Sequence, residues 1–479
     1  MPQVVVGVAV AAGAAGLGVA LGVTTITAAV VSVAATAAAA GLNYALNETP
    51  ETGALTAFPP DKAAAPANGE RSLAFRQSVP PRRFVYGACR TGGCLFFEDN
   101  SNPWLYIGTL ISDQTIQAID GVYFGDTTIS VDGSGNAISG TIYTGYFSLE
   151  AGLGGTSQAV SALLAAAFPS IATADFKQHD IARTVCRLGW GADAAGHSTL
   201  WGGSIEPVYV VRGVKVYDPR DPAQSATNRA TWTYSNNPAL CVAHAITNVW
   251  HTSIATTDID WTSVAAAANV CDATVTYNGS SQKIFQLAGI FQANAEIASQ
   301  VAGMLAAMGG ALTFNDGLYS IHADAARTSV WTVTDADILE IGEIQHDVEL
   351  ANYYGAISAE YFNADDAGRS NVTPTYTVDS ALRKTTASFP FCSAAHSAQI
   401  LAYRQLIKSR EPGEFTITLS FAALWLTPFA DIVTISSTVL PIINGDYEVV
   451  QVDLQQTGCA VKLRKYSSSA YADPAGYLV

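Results

Sequence analysis

Residues 207–249 limit what this chain can fold into more than any other stretch. They read PVYVVRGVKVYDPRDPAQSATNRATWTYSNNPALCVAHAITNV. The valine- and tyrosine-rich front, broken by one Arg-Gly, reads as a strand. Tyr-Asp-Pro-Arg-Asp-Pro ends it, because proline cannot donate to a ladder. A polar loop follows. Asn236-Asn237-Pro238 then opens an alanine-rich run with helical spacing, with proline placed for the first turn. The chain must therefore leave a sheet, turn and enter a helical layer here. Arg212, Lys215, Tyr217, Asp218 and Arg220 are the candidate inter-module contacts. The turn is expected to be ordered and to touch another module or subunit, and none of these residues is assigned catalysis.

The rest of the chain follows this alternation. Residues 82–149 are strand-rich, with two strands joined by Arg90-Thr-Gly-Gly, so that Cys89 and Cys94 fall near facing hairpin ends. A short helix is expected over 156–168, strands over 181–188 and 205–217, and a glycine-rich loop with His197 between them. Helices are expected over 239–249, 261–271 and 293–308, the last ended by Gly309-Gly310. Asn315-Asp-Gly then marks a hairpin turn. Beyond Thr334 strands dominate, including one around Asn352, with a single helix over 397–409. The fold class is α+β and β-rich.

Residues 4–46 carry no charged side chain, and the first charge is Glu48. The run exceeds the roughly 20 residues that span a bilayer. It is built mainly of Ala, Gly, Val and Thr, through Val4, Val10, Ile26, Val30 and Leu42, and the positively charged start of a secretory signal is missing. Gly18 and Gly22 repeat at a spacing that lets helices approach closely. A membrane-seeking segment, a helix packed inside an assembly and an ordinary buried element all fit. Prolines crowd residues 49–81, which read as an extended spacer.

Lys plus Arg is 24 against 40 Asp plus Glu, a net charge of −16. So acidic a surface disfavours tight nucleic-acid binding and suits a conduit through which DNA passes without sticking. The seven cysteines (Cys89, Cys94, Cys186, Cys241, Cys271, Cys392 and Cys459) read as small buried hydrophobes. The sequence has no nucleophile elbow, P-loop, His-Glu-x-x-His or dinucleotide fingerprint, so no cofactor is expected. His244 and His251 could share one helix face, but lack carboxylate or thiol company. His346-Asp347 and Asp365-Asp366 are local acidic sites, and Asp335, Asp337, Glu340 and Glu343 form a stretch expected to face solvent or a lumen. A chain of this length without a catalytic constellation points to a structural or interaction protein.

Five collinear stretches resemble the central tail-tip (hub) protein of long-tailed bacteriophages, a family that includes the lambda-like host-specificity or tip attachment proteins and the tail hubs of gene transfer agents. They are residues 78–87 (SVPPRRFVYG), 211–220 (VRGVKVYDPR) with 235–241 (SNNPALC), 293–321, 347–362 and 393–406. The resemblance spans roughly residues 75–465. It implies two β-barrel-like hub modules with α/β modules between or inserted, to which this sequence adds a hydrophobic N-terminal helical segment. It further implies a homotrimer adapting a hexameric tube, a distal tail protein above, the tape measure protein within, and tail fibre or receptor-binding proteins outside. DNA passes after the hub opens, and contact with the host membrane is possible through the N-terminal run.

The expected layout is an uncharged segment over 1–47, a linker over 48–81 and a first barrel-like module over 82–230. An α/β middle module (231–330), a second barrel-like module (331–466) and a tail (467–479) complete it. The long C-terminal extensions of lambda-like members are missing, so direct host recognition is expected to lie with another protein. The expected role is a non-enzymatic hub at the virion tail tip, with the N-terminal segment as lumen plug or membrane element. A tail-associated cell-wall hydrolase and a membrane-anchored surface protein are the alternatives.

Overall fold

The computed structural model describes residues 80–478, except 126, 191–199, 202–205, 250–253, 316, 343–352, 364–368 and 412–413. The uncharged segment with Val4, Val10, Gly18, Gly22, Ile26, Val30 and Leu42 lies outside the described residues, as does nearly all of the proline-rich linker. So do His197, His251, Glu343, His346, Asp347, Asn352, Asp365 and Asp366.

The strand Pro207–Val216 is the spine of the N-terminal half, and it is buried along most of its length. Ile116–Phe124 runs antiparallel along one edge, with Ile119 opposite Val211. The other edge is shared by Ala88–Thr91, with Cys89 opposite Val211, and by Thr233–Tyr234. The Arg-Gly break explains this sharing. Gly213 donates its N–H to the Gly87 carbonyl at 2.8 Å. A Cβ on Gly213 would stand 2.0 Å from the Val85 carbonyl oxygen, so only glycine lets the two chains cross there.

A second antiparallel sheet runs in the order Cys94–Ser101, Trp104–Asp113, Ile181–Gly189, Phe147–Leu153. Helix α1 (Ala162–Ala167) covers it, placing Leu164 against Tyr106 and Val185. Ser161 caps α1, and Glu150 accepts from Ser161 Oγ and the Leu163 N–H. The expected pairing of the strands around Cys89 and Cys94 is corrected. Ala88–Thr91 joins Pro207–Val216, and Cys94–Ser101 folds back on Trp104–Asp113. Gly93, at φ 69°, turns the chain from one sheet to the other. All seven cysteines are buried, and none is joined in a disulfide.

Helix α2 (Pro238–Asn248) begins at Asn237, whose side chain accepts from the Ala239 N–H, and it is buried from Pro238 to Ile246. An alanine-rich helix buried all round fits the centre of a layer, because small residues let α3 (Trp261–Asp272) and α4 (Ile297–Ala306) pack closely on it. Helix α4 starts later than its spacing suggests. Gln300 reaches back and bonds both the N–H and the carbonyl of Gln292, at 2.7 and 2.8 Å, which holds the preceding segment in strand geometry. The hairpin Ala311–Asn315/Leu318–His322 follows.

Ala356–Asn363 centres a third sheet, parallel to Lys384–Phe389 and antiparallel to Arg369–Val372 and Tyr376–Thr377. Helix α5 (Ala395–Lys408) packs on it. Arg83–Tyr86 pairs with Gly289–Gln292, and one continuous core runs from Phe84 to Tyr477 through α2, α4 and α5. The C-terminal segment returns to this body, where Tyr477 stacks on Tyr403 at 3.7 Å between ring centroids.

A separate core fills a six-stranded sheet ordered Ser329–Thr334, Ile432–Ser436, Gly445–Leu454, Cys459–Lys465, Phe415–Leu419, Ile338–Ile341. Its first and last strands lie at opposite edges, yet only residues 335–337 separate them. Such a link reaches at most about 14 Å, whereas six flat strands spread over about 24 Å. The sheet therefore curls into a half-barrel. Asp335 fastens the link by accepting from Thr438 N and Oγ1 at 2.9 and 2.6 Å. Among the described residues no ladder joins the two edge strands.

Candidate functional site: two ionic junctions and a cationic cavity

The turn after Pro207–Val216 is ordered by its own charges. Asp218 accepts from Arg220 N, Nε and NH2 at 3.0, 2.9 and 2.8 Å. Arg220 NH2 also reaches Asp272 on α3 at 2.8 Å, and NH1 reaches Asn269 at 3.1 Å. Lys283 closes on Asp272 from the other side at 2.7 Å. Burial works against both carboxylates, but Arg220 at Asp218, and Lys283 with Arg220 at Asp272, hold them below the usual range. The Tyr217 ring meets Trp261 edge-on at 4.8 Å. Tyr217 through Asp221 are half-buried and Pro222 is exposed. Arg212 stands apart on the sheet surface, in a two-pronged pair with Asp120 at 2.7 and 2.8 Å. Lys215 is half-buried opposite Tyr234.

Beneath the turn, His244 on α2 is buried. Its Nδ1 lies 2.8 Å from the Tyr86 hydroxyl and its Nε2 lies 2.9 Å from Gln114 Oε1. Since that amide oxygen can only accept, the network assigns the proton to Nε2. Burial, aided by the Arg229 charge, pushes its pKa down to about 3, so this is a neutral structural histidine.

The second junction joins the half-barrel to the helical body. Asp324 accepts from Lys408 Nζ at 2.7 Å and from the Tyr471 hydroxyl at 2.7 Å, and Arg404 donates to its backbone carbonyl at 2.6 Å. On the half-barrel side, Glu448 takes both Arg327 and Arg464, and Arg327 also donates to the Phe429 carbonyl. Asp324 and Glu448 are 6% and 7% exposed, so solvent hardly screens these pairs. Burial opposes both charges. Lys408 and Arg404 nevertheless pull Asp324 below the ordinary carboxylate range, and Arg464 and Arg327 do the same for Glu448. His322 borders the same region, 3.0 Å from Thr313 Oγ1, with burial and the Arg327 charge lowering its pKa to about 4.

The charged groups of this junction and His322 line a cavity of about 120 Å³ between the two cores. Sequence reading passed over this cluster, because its members are scattered from Asp324 to Arg464. One local signal is Arg404 and Lys408, four apart on α5. Asp335 and Glu340, expected to face solvent or a lumen, are half-buried and exposed respectively. Among the described residues no group of three His, Cys, Asp or Glu side chains could hold a metal, and no helix is long and apolar enough to cross a membrane.

No family model matches the chain, and no curated protein matches its sequence. A solved structure described as the virion of a native gene transfer agent particle contains a chain with a similar fold. The TM-score is 0.58 at 14% identity, covering 86% of this chain and 90% of that one. A tail protein from Neisseria meningitidis MC58 overlaps at a TM-score of 0.30 with 12% identity, over 82% of this chain and 99% of that one. A 43 kDa tail protein of prophage MuSo2 from Shewanella oneidensis overlaps at 0.28 with 11% identity, over 81% and 100%. The last two scores are too low to speak of a common fold. This chain thus shares the overall fold of a chain built into a gene transfer agent virion.

Proposed function

We propose that this chain is a structural, non-enzymatic component of a virion tail, and that it acts as the hub at the tail tip. The observation that carries this reading is the fold likeness to a gene transfer agent virion chain, which covers most of both chains. The collinear hub-like stretches support it independently. In this reading the half-barrel and the sheets around Pro207–Val216 are the two barrel-like modules. Three copies surround the axis, match the hexameric tube, close it and open for DNA. The distal tail protein, the tape measure protein and receptor-binding fibres are the neighbours. Large apolar side chains left exposed on the half-barrel, among them Trp425 at 79% and Val439 at 76%, suit a surface covered in an assembly. Arg212, Lys215, Tyr217, Asp218 and Arg220 would then hold modules in register, and Val4, Val10, Gly18, Gly22, Ile26, Val30 and Leu42 would plug the lumen or meet a membrane.

A density map of intact particles tests this directly, with three copies at the tail tip as the expected result. A strictly monomeric chain in particles and by mass measurement would sink the hub. Clearing of cell wall in a zymogram would favour a hydrolase. Equal liposome flotation of the full chain and a 1–47 deletion would remove the membrane role.

A further inference from the structure

We propose that the cavity between the half-barrel and the helical body is a binding site for a small tetrahedral oxyanion of the inorganic phosphate class. Four cations, Arg327, Arg404, Lys408 and Arg464, line it against two carboxylates, Asp324 and Glu448. Two positive charges are therefore left over. Glu414 also acts on Arg464, but Lys462 sits 2.6 Å from it, so this pair brings one charge of each sign and leaves the surplus unchanged. Asp431, which feels the Arg327 charge and accepts from Thr427 N at 2.7 Å, lowers the excess to one. His322 is neutral at physiological pH and adds nothing.

A second observation is independent of the charge count. Arg404 is 8% exposed, and its Nε has no hydrogen-bond partner. Arg327 Nε, on the half-barrel side of the cavity, also has none. A buried guanidinium N–H without an acceptor is costly, and an oxyanion satisfies it while neutralising the surplus charge. The cavity volume of about 120 Å³ admits such an ion with little room to spare. Its position between two separate cores gives the anion a consequence, since binding there fastens the half-barrel to the body.

The full-length chain, stripped of phosphate by dialysis, is titrated with inorganic phosphate at constant ionic strength. Thermal unfolding and equilibrium dialysis are read together. The expected result is saturable uptake of one phosphate per chain and a Tm that rises with the logarithm of phosphate concentration above the dissociation constant. Arg404→Gln should reduce affinity at least tenfold. Because Arg404 also holds the Asp324 carbonyl, Ala323→Leu serves as the second variant. It fills the cavity, removes no charge, and should abolish uptake while leaving the anion-free Tm near wild type. Uptake that does not saturate, or a Tm response that chloride reproduces at equal ionic strength, means an adventitious ion only and overturns the proposal. So does undiminished uptake by Ala323→Leu. A single-stranded oligonucleotide that competes for the site would also overturn it, by making DNA phosphate the ligand. None of these outcomes bears on whether the chain is a tail hub.

Discussion

The two junctions use the same chemistry, carboxylates clamped by arginine and lysine, in different surroundings. At the turn after Pro207–Val216, Asp218, Arg220 and Asp272 are 21%, 25% and 24% exposed. At the half-barrel, Asp324 and Glu448 are 6% and 7% exposed. Solvent screens the first set and hardly reaches the second. The turn is therefore held mainly by backbone crossing and ring packing, with charges adding register. The half-barrel joint depends on its charges, because Asp324 or Glu448 left unpaired stays buried. Each region also carries one neutral histidine, His244 in the first and His322 in the second.

The largest expected effect is acid sensitivity, and it bears on both regions. His244 and His322 have folded pKa values near 3 and 4, below the unfolded value. Between those values and about 6.5 the unfolded chain holds protons that the folded chain does not. Stability is therefore present above about pH 6.5 and falls as pH drops, by up to about 1.4 kcal/mol per unit for each histidine. The loss by pH 4 is on the order of 5 kcal/mol. Asp324 and Glu448 are depressed carboxylates, so their contribution is present above about pH 4 and is lost below it. Urea unfolding at pH 7.5, 5.5 and 4.5 reads the slope, and His244→Gln should roughly halve it. A flat profile from pH 7.5 to 5 would show that neither histidine is held neutral.

Next comes the half-barrel joint. Glu448→Gln keeps the shape but leaves Arg327 and Arg464, half-buried at 19% and 16% exposure, without their shared counter-charge. We expect a loss of about 3–5 kcal/mol in the transition that unfolds the half-barrel. Denaturant unfolding followed by Trp331 fluorescence in the half-barrel measures it. A loss under 1 kcal/mol would mean that water reaches the cluster, which would erase the contrast between the two junctions.

Much of the first region was legible in the sequence, and little of the second. Asn237 before Pro238 marks the start of α2, and Asp260 marks that of α3, because helix caps are local chemistry. Asn315-Asp-Gly marked its hairpin for the same reason. The pairing of Arg83–Tyr86 with Gly289–Gln292 left no local trace, since pairing over such a separation is decided by the whole core. The Gly-Gly after Arg90 looked like a hairpin turn and is instead the step between two sheets. The buried cluster was illegible because its charges come from the segment after the Ala311–His322 hairpin, from α5 and from two half-barrel strands. In a chain only 13% charged, Glu448 inside Tyr-Glu-Val-Val was a second clue beside Arg404 and Lys408, a carboxylate in an apolar run with no neighbour to explain it.

A smaller effect tests whether the first region is held by its backbone. Gly213→Ala sets a methyl 2.0 Å from the Val85 carbonyl, so either the strand crossing or the ladder to Ala88–Thr91 must shift. Overpacking of this kind typically costs about 1–3 kcal/mol. Amide exchange at Gly213 and Val211 should accelerate, while exchange in the half-barrel stays unchanged. Protection undisturbed at both amides would show that the crossing is looser than its geometry implies.

The smallest effect belongs to the turn's own charges, and it completes the contrast. Arg220→Ala removes bonds to Asp218, Asn269 and Asp272 at once. Counted naively, three lost contacts rival the loss of Glu448. Yet the carboxylates it leaves are exposed enough to rehydrate, and Asp272 keeps Lys283. The cost should be about 1 kcal/mol or less, and half a molar of salt should shrink it further. The same salt should leave the Glu448→Gln penalty nearly unchanged, because that joint is shielded from solvent. Measuring both variants at low and high salt therefore separates register from adhesion: if Arg220→Ala costs as much as Glu448→Gln and resists salt equally, the turn is a structural clamp, and exposure is the wrong guide to what holds this molecule together.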